Sequence, residues 1–249
     1  YQWNTSTKFG FVKKSTIENN STTAVEVTIL DGIQNILPYG IASDFQNSTS
    51  NLIDAYKKCE LEKDTGLGIF ALSAVIVDKA EPSEALKANT VWSTGVKNPT
   101  YLISSLQLNA FRKGEEVHQE EDIKAEKGAY FTVQDLTLAP NNPISWMLVA
   151  NVNQNLISIQ ETKEIITNTP DVTALLQEDI EIGTAKLVQL VAGSDGLQLG
   201  ENQPRNTRHF ANTLFNIMRG GIFDDNYQIE KEDFIKYISK ANKKVTKKK

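Results

Sequence analysis

The chain has 249 residues, a formal net charge of −5, 40% hydrophobic residues and 23% charged residues. This is ordinary globular composition, and it argues against a disordered chain. A net negative charge gives no general attraction to nucleic acid or anionic lipid, so we expect neither nucleic acid nor a membrane as a partner. The basic residues between positions 240 and 249 are interpreted as a solvated terminus.

Cysteine and histidine are scarce, which limits metal and redox chemistry. Cys59 is the single cysteine, so an internal disulfide and a multi-cysteine zinc site are excluded. The two histidines, His118 and His209, lie far apart and form no HExxH box. We therefore predict no metal and no cofactor. The start of the sequence shows no signal peptide, which together with the lack of a disulfide favours a cytoplasmic location, although the compartment stays open.

Short runs rich in β-branched and aromatic residues, separated by turn residues, extend from residue 9 to about residue 153. This pattern predicts about eight strands joined by turns. We expect residues 9–17 and 23–30 to pair as one hairpin, and residues 52–61 and 67–77 to pair as another. The last of these runs is apolar on both alternate faces, which predicts a strand covered on both sides.

The hydrophobic period changes to that of helices after residue 153. Residues 169–171 (Thr-Pro-Asp) predict a helix start, and an apolar stripe follows as far as Gly193, where we expect a left-handed stop. Two further helices are predicted over residues 207–218 and 230–241. Each of these two carries its apolar side chains on one face.

The order of elements, strands first and helices after, predicts the fold class and the domains. We expect a mainly β protein, with a large antiparallel β-supersandwich followed by a short α-helical extension. The predicted β-supersandwich domain covers residues 1–153. The predicted helical linker or extension covers residues 154–249 and packs on the sandwich.

Carboxylates are plentiful, and a glycosidase-like acid pair is conceivable among Asp31, Asp54, Asp224 and Asp225. The simpler interpretation is that these are turn and cap residues. The sequence does not show which of them are close in space, and it contains no GxSxG motif. We therefore assign no catalytic residue.

Aromatic and polar side chains indicate a carbohydrate-binding site. Trp92 stands beside Ser-Thr-Gly at a predicted strand end, where its ring would offer a stacking surface for a sugar. Trp146 has apolar neighbours and is interpreted as a core residue. Several polar side chains lie close together on the predicted helix 207–218 and on the loop that follows it. They either bind a ligand or fix the helix to the sandwich. The predicted carbohydrate-binding residues are Trp92, Arg208, His209, Asp224 and Asp225.

Three segments resemble the N-terminal part of glycoside hydrolase family 94. They are residues 30–40 (LDGIQNILPYG), 51–57 (NLIDAYK) and 65–73 (TGLGIFALS). Family 94 contains cellobiose- and chitobiose-phosphorylase-like enzymes, which have a galactose-mutarotase-like supersandwich, then a helical linker, then an (α/α)6 barrel. The resemblance implies that this sequence corresponds to the supersandwich and the linker.

The resemblance implies little catalysis within this sequence. In that family the catalytic general acid is an aspartate of the helical barrel, and inorganic phosphate attacks the anomeric carbon with inversion. The barrel needs many more helices than the three predicted after residue 153, so no catalytic aspartate is carried over. The partners that the resemblance implies are an oligosaccharide or sugar ligand, a downstream catalytic domain and a second copy in a homodimer.

The leading hypothesis is a non-catalytic N-terminal domain of a carbohydrate-active enzyme of the glycoside phosphorylase or hydrolase type. Such a domain supports a catalytic barrel outside this sequence and helps to shape a sugar site. One alternative is a stand-alone carbohydrate-binding module. The other is a mutarotase-like enzyme or small glycosidase that uses carboxylates in the sandwich cleft, so whether the chain is itself an enzyme stays open.

Overall fold

The computed structural model describes residues 1–74, 76, 85–223, 228–242 and 244–245. Its strands are β1 (Gln2–Ser6), β2 (Gly10–Ile17), β3 (Val25–Ile36), β4 (Lys57–Glu62), β5 (Leu67–Leu72), β6 (Ala88–Thr94), β7 (Thr100–Ser104), β8 (Asp122–Lys124), β9 (Gly128–Leu138) and β10 (Ile144–Gln154). Its helices are α1 (Ser43–Ser48), α2 (Ser50–Tyr56), α3 (Leu108–Arg112), α4 (Leu156–Asn168), α5 (Val172–Ala192), α6 (Gln203–Met218) and α7 (Lys231–Ala241). The chain divides into two compact units, residues 1–180 and 181–249, with the boundary inside α5.

The strands of the first unit form two antiparallel sheets. The seven-stranded sheet has the order β1-β2-β10-β6-β5-β4-β8, and the three-stranded sheet has the order β3-β9-β7. Neighbouring strands pair in antiparallel fashion in both sheets. The sandwich-like sheets followed by helices confirm the predicted mainly β fold class.

The two sheets share a buried apolar cluster. The seven-stranded sheet and the three-stranded sheet both contribute to it, through Cys59, Leu61, Phe70, Val91, Leu148, Ile103 and Tyr130. Tyr130 is fully buried, and its hydroxyl donates a hydrogen bond of 2.7 Å to the carbonyl oxygen of Gly66. Gly66 has a φ of 69°, a left-handed conformation that suits glycine in the turn between β4 and β5. Tyr130 therefore fills the core and also fixes this turn.

The opposite face of the seven-stranded sheet packs against α4 and the first part of α5. Leu176 and Ile180 of α5 lie in one buried cluster with sheet residues Phe9, Val12, Leu67, Trp92, Met147 and Val149. In β5, Leu67 faces these helices and Phe70 faces the three-stranded sheet. The prediction of a strand covered on both faces is confirmed for Leu67–Leu72, whereas residues 75 and 77 of the predicted run lie outside the described residues.

The outer face of the three-stranded sheet is covered in part by α3. Leu108 of this short helix packs on Leu102, Ala129 and Phe131. The first unit is therefore layered: a short helix, the three-stranded sheet, the seven-stranded sheet, and then α4 with the start of α5.

The predicted pairing of residues 9–17 with residues 23–30 is wrong. β2 pairs with β1 and β10, whereas β3 pairs with β9. The turn residues after β2 therefore carry the chain from one sheet to the other. The second predicted hairpin is confirmed as β4 and β5, although residues 52–56 belong to α2.

The three predicted helices are present as α5, α6 and α7, but the ends of α5 differ from the prediction. Asp171 rather than Thr169 caps its start, because the Asp171 side chain accepts a hydrogen bond of 2.9 Å from the backbone N–H of Ala174. After its end, Asp195 is the residue with a left-handed φ, 55°, and Gly193 is not. The helix α4 is absent from the sequence-based prediction.

The second unit has a small core. Val191 and Thr213 are buried there, and Gly196 lies so close that an added Cβ would be 2.3 Å from Val191 Cγ1 and 2.7 Å from Thr213 Cβ. Ser194 donates a hydrogen bond of 2.8 Å to the carbonyl oxygen of Phe223. Within the described ranges, no helix combines the length and the apolar character that a membrane crossing requires.

Candidate functional site

A polar cleft lies along one face of α6 in the second unit. Its volume is about 790 Å³, and its lining residues are Gln198, Asn202, Arg205, Arg208, His209 and Asn212. Asn202, Arg205, Arg208 and Asn212 are spaced three or four residues apart, which places them on one side of the helix. The α6 cleft is therefore formed by local helix geometry.

The start of α6 is fixed by asparagine side chains. Asn202 is the N-cap residue, and its side-chain oxygen accepts a hydrogen bond of 3.0 Å from the backbone N–H of Arg205. Pro204 lies in the first turn, where its missing N–H is not needed. The side-chain amide of Asn206 donates a hydrogen bond of 2.7 Å to the carbonyl oxygen of Gly200, which connects the preceding loop to the helix.

The lining of the α6 cleft is cationic and rich in hydrogen-bond donors. The two arginines carry the formal charge, and none of the six lining residues is acidic. His209 Nε2 lies 2.9 Å from the carbonyl oxygen of Asp195. A carbonyl oxygen only accepts, so Nε2 carries the proton in this contact and orients the ring. This donor set suits a ligand with hydroxyl or anionic groups.

The structure brings two of the five predicted site residues together. Arg208 and His209 both line the α6 cleft. Asp224 and Asp225 lie outside the described residues. Trp92 is 2% exposed, and its ring packs edge-on against Phe9 with the ring centroids 6.1 Å apart. This corrects the expectation of an open stacking surface, because Trp92 lies on the helix-facing side of β6.

Asp31 lies in a buried polar network between the two sheets. It forms an ion pair with Lys13, and it accepts hydrogen bonds from Ser15 Oγ at 2.6 Å and from Trp146 Nε1 at 2.8 Å. Asp31, Lys13, Ser15 and Trp146 are all buried. Both carboxylate oxygens are engaged by protein donors, so this group is structural rather than open to a substrate.

Asp54 lies beside a second pocket, which sequence reasoning missed. The pocket has a volume of about 350 Å³ and is lined by Asn35, Ile36, Leu37, Ser43, Gln46, Asn47, Lys57 and Lys127. Burial acts to raise the pKa of Asp54, but hydrogen bonds from Lys57 and Gln46 and the charges of Lys57 and Lys127 outweigh it, so the net shift is downward. Asp54 is therefore a carboxylate at neutral pH. We call this the Gln46 pocket.

A signal for the Gln46 pocket exists in the sequence of β4. Lys57, Cys59 and Leu61 alternate with more exposed residues, and all three are buried. A lysine on the inward side of an alternating strand is unusual, because burying an ammonium group is costly unless it is paired. Such a residue marks a place where the core contains polar groups.

Cys59 is not a candidate nucleophile. Burial raises the pKa of its thiol to about 12, so almost no reactive thiolate forms near neutral pH. We expect iodoacetamide at pH 8 to leave Cys59 unmodified in the native protein and to label it readily in guanidinium chloride, where the thiol pKa returns to its ordinary value. Mass spectrometry of both samples tests this. Equal labelling rates in the two samples would contradict the burial.

Within the part of the chain that the structure describes, no group of three or more His, Cys, Asp or Glu side chains is placed to hold a metal ion.

Comparison with known proteins gives a match to a family model. Residues 223–249 are similar to insertion domain 1 of glycoside hydrolase family 149. This match indicates a glycoside hydrolase-related domain, and it does not point to family 94 specifically. It covers the C-terminal part of the chain, which includes α7. No curated protein matches the chain.

Proposed function

We propose that this chain is a non-catalytic part of a carbohydrate-active enzyme of the glycoside phosphorylase or hydrolase type. The observation that carries the proposal is the similarity of residues 223–249 to an insertion domain of a glycoside hydrolase family. The mainly β first unit and the helices after it agree with the architecture that the family 94 resemblance implies. The role is to support a separate catalytic domain and to help shape a sugar site.

The α6 cleft is the proposed sugar contact. It lies in the same unit as the matched segment. Arg205 and Arg208 supply N–H donors there, whereas the Nε2–H of His209 donates to the carbonyl oxygen of Asp195. Hydroxyl groups of a sugar accept such hydrogen bonds, and the charge of an arginine strengthens them. Among the described residues that line the cleft none is acidic, which agrees with a binding role rather than a hydrolytic one.

A catalytic domain is the proposed protein partner. α7 has no buried residue, and its Phe234, Ile235 and Tyr237 are exposed. Exposed apolar side chains of this size, grouped on one helix, commonly mark an interaction surface. The family 94 resemblance supplies the kind of partner, an (α/α)6 barrel, and a homodimer is the other assembly that it implies.

The test measures binding and turnover with the same oligosaccharides. Calorimetric titration with cellobiose, cellotetraose and chitobiose is expected to show weak binding without heat of reaction. Chromatography with inorganic phosphate present is expected to show unchanged sugars. Arg208→Ala should weaken binding about tenfold, since a hydrogen bond to a charged group is lost.

Arg219→Ala is the matched control for this test. Arg219 caps the end of α6, and its guanidinium lies 5.3 Å from the ring centroid of Phe215 rather than in the cleft, so its loss should leave the affinity unchanged. Sugar turnover by this chain would overturn the non-catalytic role and favour the mutarotase-like or glycosidase alternative. Equal affinity in the Arg208→Ala and Arg219→Ala variants would overturn the α6 cleft as the sugar contact.

A further inference from the structure

The Gln46 pocket lies in the first unit, where three elements meet. The end of β3, the helix α1 and the first residue of β4 supply most of its lining. Its volume of about 350 Å³ falls in the range of pockets that hold small molecules. Nothing in the α6 cleft or in the match at residues 223–249 involves these elements.

Gln46 presents an acceptor that has no partner among the described residues. The residue is 8% exposed, and its Nε2 donates a hydrogen bond of 3.1 Å to Asp54 Oδ1. A carboxylate only accepts, so this contact identifies the nitrogen and leaves Oε1 as the other amide atom. Among the described residues Oε1 has no hydrogen-bond partner. A buried acceptor without a partner is uncommon in folded proteins and calls for an explanation.

Two lysines provide positive charge beside this acceptor. Lys57 is 3% exposed, and its Nζ lies 2.8 Å from Asp54 Oδ1. Lys127 lines the pocket and is exposed; its charge acts on Asp54, but within the described residues it forms no ion pair at 4 Å or less. Since Asp54 neutralises one ammonium, the site keeps a net positive charge. An ammonium group has three donors, so Lys57 can serve a second acceptor besides Asp54.

We propose that the Gln46 pocket binds a hydroxylated anion of monosaccharide size, such as a sugar acid or a sugar phosphate. A ligand hydroxyl donates to Gln46 Oε1, and the anionic group accepts from Lys57 and Lys127. Gln46 Oε1 is shielded from solvent in the structure, so binding includes a small rotation of this side chain, a common change at binding sites. This site is independent of the proposed sugar contact on α6.

The ligand chemistry follows from combining the two kinds of group. An anion without a hydroxyl group, such as acetate, satisfies the lysines but donates no hydrogen bond to the amide oxygen. A neutral sugar satisfies the amide but leaves the positive charge uncompensated. A compound with both hydroxyl and anionic groups satisfies both, and charge-assisted hydrogen bonds are the stronger kind.

The test uses D-glucuronate as the probe, with D-glucose and acetate as comparison compounds. Calorimetric titration of the full chain is expected to show saturable binding of D-glucuronate, at least about tenfold tighter than either comparison compound. Lys127→Ala should weaken D-glucuronate binding about tenfold, because a charge-assisted hydrogen bond is lost. Lys127→Glu should abolish binding, since it places a negative charge at the mouth.

Lys113→Ala is the matched control, because Lys113 is an exposed lysine at the end of α3 and outside this pocket. It should bind D-glucuronate as the unaltered chain does. Gln46→Met replaces the amide by an apolar side chain of similar size and so removes the acceptor. This variant should show a smaller preference for D-glucuronate over acetate. A melting curve confirms that it is folded. Absence of saturable binding, or equal binding of acetate, glucose and glucuronate, would overturn the proposal.

Discussion

Replacing Leu176 by aspartate is expected to unfold the protein or to lower its melting temperature sharply. Leu176 is 0% exposed and packs in the cluster that joins α5 to the seven-stranded sheet. Removing a buried leucine side chain alone costs about 2–5 kcal/mol, and a buried charge without a partner adds to that. The sum is comparable to the whole stability of an ordinary domain, about 5–15 kcal/mol.

The control for this variant is Leu156→Asp at the start of α4. Leu156 is 80% exposed, so its replacement removes little packing, and an acid in the first turn of a helix is favourable. Thermal unfolding followed by circular dichroism compares the two variants. If both melt with the unaltered protein, α5 does not contribute to the core as described.

Replacing Asp31 by leucine is expected to destabilise the protein by about 3–5 kcal/mol, because it leaves a buried ammonium unpaired. Lys13 loses its ion-pair partner. Ser15 and Trp146 lose the acceptor of their hydrogen bonds. Guanidinium chloride unfolding measures the change in free energy. Asp122→Leu is the control, since this aspartate is half exposed and pairs with exposed Lys124 at 3.4 Å, a contact worth about 0–1 kcal/mol.

A double variant separates the cost of the unpaired charge from the loss of the other contacts. Lys13→Met together with Asp31→Leu removes both charges, and replacing a buried ion pair by apolar residues is often nearly neutral. We expect the double variant to be more stable than Asp31→Leu alone and less stable than the unaltered chain, because two donors still lack an acceptor. If the double variant is no more stable than Asp31→Leu alone, the unpaired ammonium is not the source of the lost stability.

Local patterns in the sequence predicted the elements that depend on neighbouring residues. The apolar stripe of α5 and the two-sided burial of β5 both follow from periodicity. The position of the α6 cleft could also be predicted from sequence, since Arg208 and His209 lie on one helix. In each case the residues that matter are within a few turns or one strand of each other.

Pairing between segments that are distant in the sequence was harder to predict. The turn residues after β2 are compatible with a hairpin and with a connection between two sheets, so local sequence does not identify the strand that pairs with β3. Trp92 was expected at the surface because it is near a strand end, but the helices that cover it come from residues 156–180. The sequence next to Trp92 contains no information about that cover.

The Gln46 pocket could not be predicted from the sequence for a similar reason. Gln46 is in a short helix, whereas Asn35, Lys57 and Lys127 come from separate segments of the chain. Their proximity depends on the packing of β3, β4 and the neighbouring helices. The buried Lys57 was the one local sign that polar groups meet there.

The double cover of the seven-stranded sheet has a consequence for hydrogen exchange. β5, β6 and β10 lie inside the sheet with neighbours on both sides, whereas β1 is an edge strand. Backbone amides of the inner strands should exchange with deuterium only when the first unit opens as a whole, and those of β1 should exchange through local fraying. Amides of the edge strand β1 would then become labelled before those of the inner strands, which would become labelled together.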